Sequence, residues 1–339
     1  MYSDFYGLTE RPFNTTPDPR FLFLAPSHRE ALAQLIYGVR EGTGFVVLTG
    51  EIGTGKTTLL QALLQRLDPQ VAVAMIVSPM LDFDGLLELM LEDLGIEQED
   101  RTTAQRLVAL RRFLLERAAA GQRTLIIIDE AQHLQPTAIE QIRLLSNYES
   151  PSRKLLQIIL AGQPELSVKL DHPQLRQVKQ RVGLRCAITP LTRQETREYI
   201  AMRLRIAKAP NPRLFTERAV ERVFRFSRGI PRLINILCEH SLLIGYADQV
   251  RLIDHRIVAE AIRTIEVQER RRGADRTAWW RLSPTVRRLI AGAGAAVLAG
   301  TVGGAVWYTG GTAALGELMS TYGARVTGVL SGVEALLKP

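Results

Sequence analysis

The sequence predicts an α/β protein in which a parallel sheet carries helices on both faces and is followed by an all-helical unit. Three observations support this. Apolar, β-branched runs at 45–49, 71–77, 124–129, 155–161 and 184–188 alternate with amphipathic helical patterns, as expected of strands buried on both faces. Strand signals stop after Pro190, and 192–268 reads as four helices near 192–207, 216–227, 231–246 and 254–268. The composition of the 339 residues, 46% hydrophobic and 23% charged, excludes general disorder and collagen-like sequence.

Taken in order, residues 1–26 are rich in aromatics and prolines and read as an ordered, extended lead-in. Their start, MYSDFYGLTERPF, has neither a basic n-region nor an apolar run, so no secretory leader is expected. Ser27 and Glu30 have the S-x-x-E spacing of a capping box, which predicts a helix over 27–41. Further helices are expected near 56–66, 83–94, 103–119 and 136–147, between the strands. Cys186 and Cys238 are too few and too far apart for a disulfide framework or a zinc site, and read as reduced core residues of a cytosolic domain. His133 and His172 lack partners at metal-ligand spacing.

The sharpest motif is Gly50-Glu51-Ile52-Gly53-Thr54-Gly55-Lys56-Thr57, a full G-x-x-x-x-G-K-[ST] match between a strand and a helix. Gly50, Gly53 and Gly55 let backbone amides, with those of Thr54 and Thr58, turn inward around phosphate oxygens. Lys56 supplies a point charge to the β- and γ-phosphates of ATP, and the Thr57 hydroxyl is placed to hold Mg²⁺. The run 125–130 is an apolar strand ending in Asp129 and Glu130. In a parallel sheet, strand carboxyl ends line the ligand crevice, so both acids are expected to face the phosphate loop. Asp129 suits the metal-orienting role, and Glu130 suits the base that aligns water.

Together, the phosphate loop, the Asp-Glu pair and the following helical region resemble an AAA+ ATPase over roughly residues 1–268. The resemblance implies three further positions. Gln163 falls at sensor 1, where Asn or Thr is more usual. Arg232, in Gly229-Ile230-Pro231-Arg232, opens a lid helix as a sensor-2 arginine does. Arg181, just before the last strand, falls where an arginine finger enters a neighbouring subunit, with Arg176 and Arg185 as close rivals. A finger acting in trans implies a ring or filament of subunits. More narrowly, YGLTERPFNTTPDPRFLFLAPSHREAL, GFVVLTGEIGTGKTTL, LIIIDEAQHL, AGQPEL and GIPRLIN resemble the general secretion pathway protein A family of the ExeA type. Relatives in pilus and exopolysaccharide systems share this head, and ATPases regulating transposition have a similar one. The resemblance therefore narrows the fold more than the pathway.

Residues 289–308 contain no charge, and twenty helical residues reach about 30 Å, the thickness of a bilayer core. A transmembrane helix is expected there, with Gly300 and Gly304 at the spacing that lets spans pack closely. Arg281, Arg287 and Arg288 precede it, Trp279-Trp280 and Trp307-Tyr308 flank it, and the positive-inside rule keeps the ATPase cytoplasmic. The tail carries a heptad seam from Leu315 to Leu336, diluted by glycines. Secretion-pathway members commonly place a peptidoglycan-binding domain after the span; with thirty-one residues in 309–339, direct cell-wall binding is not expected.

The expected organisation is thus a nucleotide-binding α/β domain with its lead-in (1–190), a helical lid (191–268), a basic juxtamembrane linker (269–288), the span (289–308) and a short amphipathic tail (309–339). The formal net charge is +8, from 43 Lys+Arg against 35 Asp+Glu. Residues 269–288 hold seven arginines against Glu269 and Asp275, so most of the surplus lies beside the span, where it suits anionic headgroups. The expected function is a single-pass ATPase of a bacterial inner membrane. It binds and hydrolyses Mg-ATP, oligomerises, and drives assembly or positioning of an envelope secretion, export or pilus complex. The competing readings are a nucleotide-switched, nucleic-acid-binding regulator of the transposition type and a scaffold that binds ATP but scarcely turns it over.

Overall fold

A computed structural model describes residues 1–16, 18–77, 80–97, 102–150 and 153–267. In chain order its elements begin with α1 (Tyr2–Tyr6), α2 (Pro26–Glu41), β1 (Phe45–Gly50), α3 (Lys56–Leu64), β2 (Ala72–Ile76), α4 (Phe83–Asp93), α5 (Thr103–Ala119) and β3 (Thr124–Ile128). There follow α6 (Pro136–Leu145), a short hairpin of β4 (Glu149–Ser150) and β5 (Arg153–Lys154), β6 (Leu156–Gly162), α7 (Pro164–Asp171), α8 (Arg176–Arg181) and β7 (Val182–Ile188). Helices α9 (Arg193–Ile206), α10 (Glu217–Ser227), α11 (Pro231–Ala247) and α12 (255–267) complete the described chain.

The main sheet has the order β2-β3-β6-β1-β7, and every pairing is parallel. Alternation along its strands divides the interior in two. Phe45, Val47, Ile126, Ile128, Ile158 and Leu160 face a core closed by α4 to α8. Val46, Leu48, Leu125, Ile127, Ile159 and Ala161 face the opposite core, against α2 and α3. Strand residues pointing alternately into two helix-covered layers have no polar face, which is why these runs read as continuously apolar.

The lead-in is not extended throughout. Tyr2–Tyr6 form a helix closed by Gly7 in the left-handed region, and Pro19–Phe21 form a 3-10 turn. Tyr2, Tyr6, Leu8 and Phe13 are buried with Leu204, Phe215, Leu237 and Cys238 in a third core, that of α9 to α12. The Tyr2 hydroxyl reaches both carboxylate oxygens of Glu239, at 2.7 and 2.8 Å, and the Tyr6 hydroxyl donates to the Val250 carbonyl at 2.9 Å.

The capping box expected at Ser27 is absent. Pro26 occupies the first helical position and Ala25 the cap, so Ser27 lies inside α2, where its hydroxyl sits 3.5 Å from His28 Nδ1. Proline's fixed φ and missing N–H suit a helix start, and they moved the boundary back by one residue. Capping boxes do form at Thr102 with Gln105 and at Thr192 with Glu195. Between α10 and α11, Gly229 has φ +78, and a Cβ there would lie 1.9 Å from the Leu191 carbonyl oxygen, so only glycine fits.

Among the described residues no helix is long and apolar enough to cross a membrane. The expected span at 289–308, its basic linker and the heptad tail lie outside the described residues.

Candidate functional site

Strand β1 ends at Gly50 and helix α3 starts at Lys56, so the intervening loop must reverse within five residues. Gly53 and Gly55 make that turn at φ +80 and +101. A Cβ on Gly53 would meet the Cβ of Arg232 at 2.6 Å, and the Arg232 N–H donates to the Gly53 carbonyl at 3.1 Å. The start of α11 therefore rests directly on the phosphate loop. Lys56 is buried, its Nζ donating to the Gly50 and Glu51 carbonyls at 2.9 and 3.2 Å. Burial pushes the ammonium's pKa down, and the nearby carboxylates of Glu130 and Asp129 oppose the shift.

The acids stand where the strand register puts them. The Thr57 hydroxyl donates to Asp129 Oδ2 at 2.6 Å, a pair of hard oxygen donors that fits Mg²⁺ with phosphates and water completing its shell. Among the described residues no cluster of three or more His, Cys, Asp or Glu side chains is placed to hold a metal. Glu130 has φ 54, uncommon for a non-glycine residue, and its N–H donates to Asp129 Oδ1 at 2.9 Å. Its Oε2 accepts from Gln132 Nε2 at 2.6 Å and from Gln163 Nε2 at 3.5 Å. The expected sensor-1 residue thus does meet the acid, at the outer limit of a hydrogen bond.

A cavity of about 340 Å³ opens over this loop. Thr54, Gly55, Lys56, Thr57 and Thr58 line one end together with Glu130, and Arg232 lines the lid side. The other end is built from Phe21 of the lead-in, Tyr199 and Arg203 of α9 and Asn235 of α11. There the Arg203 guanidinium lies 4.7 Å from the Phe21 ring centroid and donates to the Tyr199 hydroxyl at 2.9 Å. That hydroxyl in turn donates to Asn235 Oδ1 at 2.9 Å. Burial pushes the Tyr199 phenol up, so it remains a donor. His28, also buried, places Nε2 3.0 Å from the Thr54 carbonyl, and burial holds its imidazole below the ordinary range.

Three segments far apart in the chain thus enclose one pocket whose floor is a phosphate loop. Residues 39–170 match the family model described as an AAA domain. The sequence from the end of α2 into α7 is thus similar to an AAA domain. A longer match is found as well: the chain is 43% identical over 256 residues to general secretion pathway protein A of Aeromonas hydrophila, covering 75% of this chain and 47% of that protein. The chain therefore spans about half the length of that relative. Among solved structures, the Aeropyrum pernix ORC2 protein in its ADPNP–ADP complexes has a TM-score of 0.58 at 16% identity, covering 75% of this chain and 71% of that one. The Aeropyrum pernix ORC1 protein in complex with DNA gives 0.58 at 16%, covering 76% and 70%. At that identity the likeness is one of fold.

The expected site residues do not all converge. Lys56, Thr57, Asp129, Glu130 and Gln163 do, and Arg232 joins them across the cavity. Arg176 and Arg181 lie at the two ends of α8 and Arg185 on β7, where it sits 3.5 Å from Asp171. None of the three lines the cavity. Sequence reasoning passed over His28, Gln132, Tyr199, Arg203 and Asn235. Gln132 alone carried a usable signal, two residues beyond Glu130 in the 3-10 turn that follows β3.

Proposed function

We propose that the chain binds Mg-ATP and hydrolyses it, and that hydrolysis serves an envelope secretion, export or pilus assembly at a bacterial inner membrane. The Thr57–Asp129–Glu130 arrangement over the phosphate loop carries the chemical part. Backbone amides and Lys56 hold the phosphates, Thr57 and Asp129 would hold Mg²⁺, and the ion would neutralise charge between the β- and γ-phosphates. Glu130 aligns the attacking water and takes its proton, and Arg232 adds positive charge from the lid. An arginine from a second copy, Arg181 first among the candidates, completes the charge and makes the working form a ring or filament. The pathway rests on the likeness to general secretion pathway protein A, and the membrane anchor rests on residues 289–308.

Steady-state phosphate release tests the chemistry. Glu130→Gln is expected to lower turnover by about 100-fold or more while ATP still binds, and wild-type turnover in that variant would refute the assignment. Full-length protein is expected in the membrane fraction; recovery wholly in the soluble fraction would refute the anchor.

A second reading, nucleic-acid binding, draws on a groove of the helical region lined by Arg193, Arg197, Arg218, Arg222, Arg225 and His255. Glu217 and Glu221 pair with three of these arginines, which leaves a modest positive surplus. That reading predicts DNA binding that weakens steeply with salt.

A further inference from the structure

We propose that Gln132 is the positioning residue of the hydrolytic base, tying the Glu130 carboxylate to the carboxyl end of β6; this rests on the reading of Glu130 as base. The Gln132 amide is held at both ends. Its Oε1 accepts from the backbone N–H of Gln163 at 3.0 Å, and its Nε2 donates to Glu130 Oε2 at 2.6 Å. A backbone N–H can only donate, so the amide's orientation is fixed by its partners. The turn carrying Gln132 is pinned as well: Lys169 Nζ donates to the Gln132 carbonyl and, at 2.8 Å, to the Leu134 carbonyl.

The seat is shaped for this side chain. A Cβ on Gly162 would lie 2.7 Å from Gln132 Oε1 and 3.0 Å from a Leu166 methyl, so a larger residue there would push the amide away. Glu130 needs an external support because its own backbone sits in the left-handed region. Gln163 is a poor one, since its amide is 3.5 Å away. Both amides address Oε2, which assigns Oε1 to the water. One side chain thus links the base to the strand end that carries the sensor position, and a shift in the loop after β6 would be felt at the carboxylate.

The test uses the full-length protein, with ATP turnover and ATP affinity measured separately. For Gln132→Ala, a fall in kcat of about 10- to 100-fold is expected, with KM and ATP Kd within about twofold. Gln132→Glu, which keeps the shape but removes the donor, and Gly162→Ala, which displaces an unaltered Gln132, should likewise lower kcat with ATP Kd held; they keep the test open if Gln132→Ala melts early. The proposal is overturned by an unchanged or raised kcat, or by a fall accompanied by lost ATP affinity. Wild-type turnover in Glu130→Gln would instead sink the base assignment, whatever the Gln132 variants do.

Discussion

The two ends of the cavity each bury a cation, Lys56 at 5% exposure and Arg203 at 4%, and they hold it by different means. Lys56 is surrounded by backbone carbonyls and carboxylates, all within one turn of chain or at strand ends. Arg203 lies between the Phe21 and Tyr199 rings, its Nη1 on a phenol and its Nε buried without a partner among the described residues. The phosphate end is therefore a charge trap made by backbone geometry. The opposite end is an aromatic wall, where flat side chains and a guanidinium plane fix shape more than charge. Under the proposed function, chemistry belongs to the first end and fit to the second.

Substitutions can separate the two. The largest effect is expected from Lys56→Ala: loss of about 100-fold or more in ATP turnover, with weakened ATP binding, by phosphate release and titration. At the aromatic end, Arg203→Ala is expected to raise the ATP Kd about tenfold while kcat at saturation stays within about twofold. If kcat fell as far as in Lys56→Ala, the division of labour would be wrong. Arg203→Lys should be intermediate, because lysine keeps the charge but loses the plane that lies over Phe21.

The smallest effect concerns His28, which joins α2 to the phosphate loop. Its pKa is lowered in the folded protein, so below about pH 6.5 the unfolded chain takes up a proton that the native chain refuses. Stability is full above that pH and falls as pH drops towards the lowered folded value. Denaturation midpoints for His28→Gln should accordingly depend less steeply on pH between about 6.5 and 5 than those of the parent.

The same contrast explains what could be read in advance. The phosphate loop and the Asp129–Glu130 pair lie in contiguous motifs, so residue type and spacing were enough to place them at one site. The parallel sheet was legible because its strands are apolar on both faces. Helix α8 and the β4–β5 hairpin were missed because six and two residues fall below any periodicity window. The aromatic wall had no local signature at all. Phe21, Tyr199, Arg203 and Asn235 become neighbours only after the lead-in crosses to the helical region, and each alone reads as an ordinary core or surface residue.

That crossing has a consequence for how the chain acquires its structure. The Tyr2–Glu239 contact joins residues 237 apart, and the Tyr6–Val250 bond joins residues 244 apart. During synthesis the sheet and its helices can form as they emerge, since their pairings close shorter loops. The first dozen residues, by contrast, have no place to dock until α11 and the segment after it have been made. The lead-in of a nascent chain is therefore expected to keep its aromatics exposed until α11 is made, and to dock after the sheet has formed.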